Sequence, residues 1–353
     1  MSTIAKGSTV LVTGANGYIA THVVDQLLRA GYKVRGTVRS CSKAEWMHKL
    51  LDLQYGPGTF ETVIVPDMVA DGAFDEAVKS VSGIVHLATI ATFSDKYEEV
   101  VPPTIKGALN ILESARKEPG VKSLVYTSSS SAALLPQADT RVVVTAETWN
   151  DTAVEIARND PGASGFVVYA ASKTEAERAV WRVVEETKPG FRVAAVLPSG
   201  NFGRMLRPGF EGEASTGSWV VSLFKGEGEM AFLDMPPFRG FLLARYPVAL
   251  PELTISTDFI DVVDDARLHV AALINPSCAG KRIFAFARPF TWNDVLAIFR
   301  NMYPERKFRD DIEVGRDLSE VPNQEAEELL RKHYGHGWTS LEESVKANVA
   351  MLA

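Results

Sequence analysis

The sequence contains few of the residues that build disulfide scaffolds and metal sites. Its 353 residues include two cysteines, Cys41 and Cys278, which lie far apart in the chain. The six histidines are scattered, and none stands in a His-Glu-x-x-His or Cys-x-x-Cys arrangement. The sequence therefore argues against a disulfide-stapled fold, and we expect no metal site.

Positive charge and long apolar runs are also scarce. Lysine and arginine number 37 against 44 aspartates and glutamates, a net charge of −7, whereas binding to a phosphate backbone needs concentrated positive charge. No apolar run of about 18 residues is present, and no secretory signal peptide is readable at the N-terminus. We therefore expect a cytoplasmic protein that binds neither nucleic acid nor membranes.

Short β-branched runs alternate with helical segments along most of the chain. The sequence predicts strands at 8–13, 33–38, 62–65, 84–87, 124–127 and 192–197. Apolar residues at helical spacing predict helices after the first strand, at 104–116 and at 169–186. This alternation is typical of an α/β fold with a doubly wound parallel sheet.

The alternation stops at residues 203–253, where Gly and Pro follow one another closely among bulky aromatic side chains. It returns at 254–272, where a strand leads into a helix. We expect residues 1–202 plus 254–275 to form the dinucleotide-binding domain, and 203–253 plus 276–353 to form a smaller, partly discontinuous C-terminal substrate lobe. The aromatic residues of 203–253 belong either to the core of this lobe or to an apolar substrate pocket; among them are Trp219, Phe224, Phe232 and Phe238.

Two helices of the C-terminal lobe have readable starts. Thr291 is placed to cap the helix that follows it. Ser340 stands three residues before Glu343, which is the spacing of a capping box.

A glycine-rich turn, Thr13-Gly-Ala-Asn-Gly-Tyr-Ile-Ala20, follows the first predicted strand. Gly14 permits the tight turn, Gly17 lets the backbone approach a pyrophosphate, and the small Ala20 lets helix and strand pack closely. The free N–H groups of the helix N-terminus then face the phosphates. The pattern predicts a dinucleotide site; an ordinary strand–helix turn is the alternative.

The end of the second predicted strand indicates which dinucleotide binds. An NAD site usually has Asp or Glu there to bind the ribose hydroxyls, but the stretch 35–43 contains no acid. Arg39 stands at the end of the strand and Lys43 one turn later. Because a guanidinium matches the 2′-phosphate of NADP with two hydrogen bonds, we predict NADP; a solvated basic loop is the alternative.

Tyr169 and Lys173 are four residues apart and so share a helix face. A free phenol has a pKa of about 10, and we expect the neighbouring cation to lower the pKa of Tyr169 so that the phenol can exchange a proton. The fifth strand ends in Tyr126-Thr-Ser-Ser-Ser-Ser131, at the edge where open α/β sheets bind ligands. We expect one of these serines to bind a substrate carbonyl; a surface Tyr–Lys pair is the alternative.

Taken together, these motifs resemble the extended short-chain dehydrogenase/reductase family. The resemblance rests on TGANGYIA at 13–20, HLA at 86–88, TSSS at 127–130, YAASK at 169–173 and DFIDVVDDA at 258–266. Within the family, the chain is most similar to the dihydroflavonol-reductase-like branch, especially fungal and yeast NADPH-dependent aldehyde and ketone (carbonyl) reductases. The resemblance implies a Rossmann fold.

The resemblance also implies roles for individual residues. The family's catalytic serine corresponds to Ser129, with Ser130 as the alternative, and its tyrosine and lysine correspond to Tyr169 and Lys173. By the same correspondence Asp67 and Met68 contact adenine, and Pro198 and Ser199 lie against the nicotinamide. The expected cofactor-binding set is Gly14, Asn16, Gly17, Tyr18, Ile19, Arg39, Lys43, Asp67, Met68, Ala88, Thr89, Thr127, Tyr169, Lys173, Pro198 and Ser199.

These expectations lead to an NADPH-dependent reduction of an aldehyde or ketone to the alcohol, with Tyr169 as proton donor. Residues 203–253 are rich in apolar side chains, which favours a small, largely apolar carbonyl substrate. We expect a monomer or homodimer. Two alternatives stay open. One is a nucleotide-sugar epimerase or dehydratase of the same fold, and the other is a non-catalytic redox regulator that binds NADP.

Overall fold

The computed structural model describes residues 4–135, 137, 139–207, 215–226, 256–311 and 315–352. Ten strands run through the described residues: β1 Thr9–Thr13, β2 Lys33–Val38, β3 Phe60–Ile64, β4 Gly83–His86, β5 Ser123–Thr127, β6 Arg192–Pro198, β7 Gly200–Phe202, β8 Ser256–Asp261, β9 Arg282–Ala285 and β10 Arg288–Thr291. The same residues form ten α-helices: α1 Tyr18–Arg29, α2 Glu45–Tyr55, α3 Tyr97–Lys117, α4 Asp151–Asn159, α5 Gly165–Thr187, α6 Gly217–Lys225, α7 Val262–Ile274, α8 Trp292–Met302, α9 Gln324–Tyr334 and α10 Leu341–Val349. None of these helices is long and apolar enough to cross a membrane.

Seven strands form a parallel sheet in the order β3-β2-β1-β4-β5-β6-β9. The central strand β1 pairs on one side with β2 and on the other with β4, both in parallel. Strands β4 and β5 are buried along their whole length, as expected where helices cover both faces of a parallel sheet. The predicted doubly wound Rossmann sheet is confirmed. Strands β2 and β3 lie on one side of β1, and β4 and the later strands lie on the other side. Sheets of this kind bind ligands at the position where the strand order switches sides.

The long helix α5 carries the Tyr-x-x-x-Lys motif. The Ser164 side chain caps its N-terminus by accepting a hydrogen bond from the Val167 N–H, which supplies a partner for one of the free N–H groups of a helix start. The residue after the helix, Lys188, has left-handed backbone with φ of 42° and closes the C-terminus. Helix α5 packs against α3 and α4 in the part of the molecule that contains the sheet, and this packing fixes the face that bears Tyr169 and Lys173.

The chain forms two compact units. The sheet unit comprises residues 1–133, 149–197 and 266–283, and the C-terminal unit comprises residues 134–148, 198–265 and 284–353. The assignment of substrate binding to a lobe formed by 203–253 and 276–353 stays a prediction.

An aromatic cluster forms the core of the C-terminal unit. Phe202, Phe259, Phe290 and Trp292 are fully buried, and the ring centroids of Phe290 and Trp292 lie 5.3 Å apart. Strands β7, β8 and β10 form a separate three-stranded sheet that contributes three of these rings. Burial of these four large rings contributes to the apolar area that stabilises the unit.

The structure resolves part of the question about the aromatic residues of 203–253. Phe224 is 2% exposed and its ring packs against those of Phe299 and Tyr303, so it belongs to the core. Trp219 is half-buried at the rim of the same cluster. Phe232 and Phe238 lie outside the described residues.

Both predicted helix starts in the C-terminal unit are confirmed. The Thr291 side chain accepts a hydrogen bond from the Asp294 N–H and the Asp294 carboxylate accepts from the Thr291 N–H. Ser340 and Glu343 form the same reciprocal pair at the start of α10. Each capping box satisfies N–H groups that have no partner within the helix.

Candidate active site

The glycine-rich turn has the open backbone that a pyrophosphate needs. Gly14 has left-handed backbone with φ of +64°, and a Cβ atom there would lie 3.2 Å from the Ala88 Cα. Gly17 is exposed and its N–H donates to the Gly14 carbonyl over 2.9 Å. Helix α1 then begins at Tyr18 with no acidic residue in its first turn. The N-terminus of α1 therefore offers an uncompensated positive dipole to an anion.

The ends of β1 and β4 are tied together beside this turn. The Thr13 hydroxyl oxygen accepts hydrogen bonds from the N–H groups of Leu87 and Ala88, each over 3.0 Å, and is bonded to the His86 ring over 2.9 Å. Burial lowers the pKa of His86 to about 3, so the imidazole is neutral. The hydroxyl of Thr89, the residue after Ala88, is buried without a hydrogen-bond partner among the described residues. An unpartnered buried hydroxyl at this edge fits a polar ligand such as a dinucleotide.

The predicted 2′-phosphate residues follow β2. Arg39 is exposed directly after the strand, and Lys43 ends the short 3-10 helix Cys41–Lys43. Asn16, in the glycine-rich turn, and Ile19, in the first turn of α1, are half-buried. These positions place two cations at the carboxyl end of β2, the neighbour of β1.

The predicted adenine pair follows β3, the next strand along the sheet. The Asp67 carboxylate is exposed and accepts a hydrogen bond from the Val69 N–H over 2.8 Å. The Met68 carbonyl accepts from the Asn110 side chain over 2.9 Å, and a Cβ atom on Gly107 would lie 2.8 Å from the Met68 methyl. Two residues of α3 therefore fix the position of Met68.

Tyr169 lies between two phenylalanine rings. Its ring centroid is 5.0 Å from that of Phe93 and 6.4 Å from that of Phe166. Loss of water around the phenol raises the pKa of Tyr169, and a hydrogen bond with Ser129 opposes that rise. The expected net lowering of this pKa below that of a free phenol is therefore wrong: burial sets the direction. A raised pKa keeps the phenol protonated at neutral pH, which is the form that can donate a proton.

The ring of Phe93 is held in place through the backbone. Phe93 has left-handed backbone with φ of 50°, a conformation that costs free energy for a bulky residue. A Cβ atom on Gly165 would lie 1.8 Å from the Phe93 carbonyl oxygen. Only glycine at 165 allows the loop after β4 to approach the start of α5 so closely. The contact holds Phe93, which is 42% exposed, beside Tyr169.

Lys173 is buried one helical turn after Tyr169. Its ammonium donates a hydrogen bond to the Thr127 carbonyl over 2.8 Å and lies 5.4 Å from the centre of the Tyr126 ring. Burial lowers the pKa of Lys173 to about 8, and the negative charge of Glu177 opposes that fall. Both interactions connect helix α5 to the carboxyl end of β5, as the Tyr-x-x-x-Lys pattern and the serine run predicted.

Ser129 is the hydrogen-bond partner of Tyr169. Ser129 is 8% exposed, and its hydroxyl also accepts from the Ser131 hydroxyl over 2.9 Å. Ser130 begins the short 3-10 helix Ser130–Ala132 and is half-buried. The structure thus brings Ser129, Tyr169, Lys173 and the Thr127 carbonyl together at one strand end. This group can hold a carbonyl oxygen and deliver a proton to it.

Pro198 and Ser199 belong to the C-terminal unit. Pro198 ends β6, and the Ser199 hydroxyl donates a hydrogen bond to the Asp258 carbonyl. The Ser199 N–H donates to the Ala285 carbonyl over 3.2 Å. These bonds fix the backbone after β6, and the predicted role of the two residues at the nicotinamide stays a prediction.

Three residues at this site were missed from the sequence: Phe93, Phe166 and Glu177. The spacing of Glu177, four residues after Lys173, is a signal that places it on the same helix face. The spacing of Phe166, three residues before Tyr169, is another. Nothing in the sequence near Phe93 indicates that it returns to Tyr169.

Comparison with known proteins gives one family. The model of the NAD dependent epimerase/dehydratase family matches residues 10–285. Aldehyde reductase 2 of Sporidiobolus salmonicolor is 42% identical over 349 residues, covering 97% of this chain and 95% of that protein. Ketoreductase adrE of Penicillium rubens is 38% identical over 357 residues, covering 98% and 97%.

A solved structure agrees along nearly the whole chain. Gre2 of Candida albicans, crystallised in complex with NADPH, is 26% identical and superimposes with a TM-score of 0.79. The match covers 98% of each chain. Sequence and fold therefore point to the same relatives.

Proposed function

The chain belongs to the NAD dependent epimerase/dehydratase family, and on this premise we propose that it reduces an aldehyde or ketone to the alcohol with NADPH. This family is the one that the motifs of the sequence resemble. The names of the two curated relatives, aldehyde reductase and ketoreductase, support the proposal over a nucleotide-sugar epimerase or a non-catalytic regulator. So does the Gre2 complex with NADPH.

The observation that carries the proposal is the group at the end of β5. NADPH, when bound, supplies the hydride that reduces the carbonyl carbon. Ser129 holds the carbonyl oxygen, and Tyr169, whose phenol keeps its proton at neutral pH, donates that proton to the oxygen. The positive charge of Lys173 stabilises the phenolate that remains. The bond from Lys173 to the Thr127 carbonyl, 2.8 Å long, fixes the cation for this task.

The cofactor residues fit a dinucleotide that carries a 2′-phosphate. The open turn at Gly14 and Gly17 accommodates the pyrophosphate. The Thr89 hydroxyl, which has no hydrogen-bond partner among the described residues, is available to bind a polar group of the cofactor. The exposed Arg39 and Lys43 bind the 2′-phosphate. The residues present therefore support NADPH over NADH.

The rings beside Tyr169 support a small, largely apolar carbonyl substrate. Phe93 is 42% exposed and, with Phe166, forms an apolar wall next to the proton donor. Neither cysteine forms a disulfide, which fits a reducing compartment, and a cytoplasmic location is part of the proposal. A monomer or homodimer remains our expectation for the assembly.

The test is NADPH oxidation against a panel of aldehydes, ketoesters, aryl ketones and nucleotide-diphosphate sugars. We expect turnover with apolar carbonyls, formation of the alcohol, and a strong preference for NADPH over NADH. Turnover of a nucleotide sugar with no net oxidation of cofactor would instead indicate an epimerase. NADPH binding without turnover of any carbonyl would favour the regulator.

A further inference from the structure

The third polar residue on the active face of α5 is Glu177. Tyr169, Lys173 and Glu177 follow one another at intervals of four residues, so their side chains lie along one side of the helix. Glu177 is 0% exposed. A carboxylate so deeply buried costs free energy unless it is paired and hydrogen-bonded, and its partners therefore show what it is for.

Two of the partners compensate the charge of Glu177. The Arg282 guanidinium, from β9, donates to both carboxylate oxygens over 2.7 and 3.2 Å. The Trp181 indole N–H donates over 3.0 Å. Arg282 is itself 6% exposed and lies 3.9 Å from the centre of the Trp149 ring. The ion pair and the ring hold the carboxylate at one place.

The remaining partner leads to the active site. The Ser128 hydroxyl donates to Glu177 over 2.6 Å. Ser128 stands between Thr127, whose carbonyl receives the Lys173 ammonium, and Ser129, which is bonded to Tyr169. Thr127, Ser128 and Ser129 are thus bonded to Lys173, Glu177 and Tyr169, respectively. The three partners share one face of α5.

We propose that Glu177 is a positioning residue for the reductase reaction: by holding Ser128 it fixes the Thr127 carbonyl against Lys173 and the Ser129 hydroxyl against Tyr169. The inference rests on the proposed function and adds a residue to it. Misplacement of a reacting group by about 1 Å can cost two orders of magnitude in rate. The Ser128–Glu177 bond therefore governs the geometry of the Lys173–Thr127 and Ser129–Tyr169 bonds on either side of it.

The charge of Glu177 has a second effect, on Lys173. Charged and titratable groups around the two side chains include Arg282 from β9, Tyr126 from β5, His86 from β4, His269 from α7 and Tyr169 on α5 itself. Burial acts against the ammonium form of Lys173, and Glu177 favours it. Loss of the carboxylate charge therefore deprotonates Lys173 at lower pH.

The positioning effect is tested with Ser128→Ala, which leaves the Arg282–Glu177 pair intact. Because Ser128 then no longer holds Thr127 and Ser129 in place, we expect kcat to fall by roughly tenfold or more, with little change in KM for NADPH. The matched control is Ser114→Ala in α3. Ser114 is 1% exposed and donates to the Asp75 carboxylate over 2.6 Å, so the control loses the same kind of bond away from the site. It should keep wild-type kcat.

The charge effect is tested with Glu177→Gln, whose amide oxygen can still accept from Ser128. We expect the alkaline limb of the kcat/KM profile to move to lower pH by roughly one unit. A residue with only a structural role would lower Tm and leave both the limb and the kcat of the folded protein unchanged. Ser128→Ala supplies an independent readout if Glu177→Gln folds poorly.

The outcomes separate this inference from the function on which it rests. If the wild type does not reduce carbonyls with NADPH, the proposed function and this inference both fail. Suppose instead that the wild type is active and Tyr169→Phe is inactive, so that the proposed function holds. If Ser128→Ala then keeps the kcat of Ser114→Ala, and the alkaline limb of Glu177→Gln does not move, only the role of Glu177 is overturned.

Discussion

The buried acids Glu177, in the sheet unit, and Asp258, in the C-terminal unit, are stabilised in opposite ways. In the sheet unit Glu177 is paired with the Arg282 guanidinium over 2.7 Å. In the C-terminal unit Asp258 is 4% exposed, and burial together with the negative charge of Asp317 raises the pKa of Asp258 to about 8. The charge of Glu177 is thus compensated by a cation, whereas Asp258 stays protonated at neutral pH.

The buried side chains of the two units differ in the same sense. At the end of β5 the sheet unit buries Ser128, Ser129 and Lys173, each with a hydrogen-bond partner. The C-terminal unit is centred instead on Phe290 and Trp292 and their ring neighbours. We therefore expect substitutions in the hydrogen-bond network of the first unit to change activity, and substitutions in the aromatic cluster of the second to change stability. The predictions below test that separation, from the largest expected effect to the smallest.

The largest effect is expected from Lys173→Ala in the sheet unit. The variant loses both the bond to the Thr127 carbonyl and the charge beside Tyr169, so kcat should fall by about 10²–10⁴ and NADPH should bind more weakly. Steady-state kinetics and cofactor titration measure the two effects. The control is Lys79→Ala, whose exposed side chain pairs with Glu76; equal losses in both variants would contradict the role of Lys173.

The next effect is on stability, in the C-terminal unit. Trp292 is 0% exposed and packs against Phe202 and Phe290. Trp292→Ala leaves a large cavity, and the free energy of unfolding should fall by about 3–5 kcal/mol. Chemical denaturation measures this loss.

The matched control is Trp219→Ala, because Trp219 is half-buried at the rim of the same cluster, 6.5 Å from Trp292 between ring centroids. Its loss should be clearly smaller. An equal loss in both variants would show that the cluster has no dominant centre.

The third effect concerns cofactor choice at the other end of the sheet unit. Arg39→Ala removes the exposed guanidinium after β2 and should weaken NADPH by about 10- to 150-fold, equivalent to about 1.5–3 kcal/mol. NADH, which lacks the 2′-phosphate, should be little affected. Lys33→Ala, at the opposite end of the same strand, is the control. Equal weakening of both cofactors would contradict the assignment of Arg39.

The smallest effect concerns the protonated carboxyl of the C-terminal unit. A raised pKa means that the folded protein keeps a proton that the unfolded chain releases, so stability is present at low pH and falls as pH rises towards about 8. One proton accounts for at most about 1.4 kcal/mol per pH unit. Asp258→Asn should remove this slope from the unfolding free energy between about pH 4 and about pH 8.

Asp310→Asn is the control for this measurement, because Asp310 is an exposed aspartate of the same unit. It should keep the wild-type pH dependence. An unchanged slope in Asp258→Asn would mean that another group is responsible.

The sequence predicted strands and helix starts well in both units where its signals are local. Strand β2 has the predicted bounds, and the starts of α8 and α10 at Thr291 and Ser340 follow the capping patterns. The failures have physical reasons. The predicted start at residue 104 follows Pro102 and Pro103. Helix α3 instead begins at Tyr97 and includes both prolines near its start. Burial of the neighbouring valines outweighs the backbone hydrogen bonds that the prolines remove.

The candidate site was predictable only in part. The Tyr-x-x-x-Lys spacing gave Tyr169 and Lys173, because a helix converts that spacing directly into proximity. Arg282 could not be connected with Glu177, since 105 residues separate them and only the sheet brings β9 and α5 together. The direction of the Tyr169 pKa was predicted wrongly for a related reason. Burial by Phe93, a distant residue in sequence, contributes to it, and spacing says nothing about burial.

The most direct test of the central claim is the turnover number of Tyr169→Phe. The substitution keeps the ring between Phe93 and Phe166 and removes only the hydroxyl that is bonded to Ser129. If that hydroxyl donates the proton to the carbonyl oxygen, kcat for carbonyl reduction falls by about 10²–10⁴ while NADPH binds as in the wild type. A variant that reduces the same carbonyl at a rate close to the wild-type rate would contradict the account.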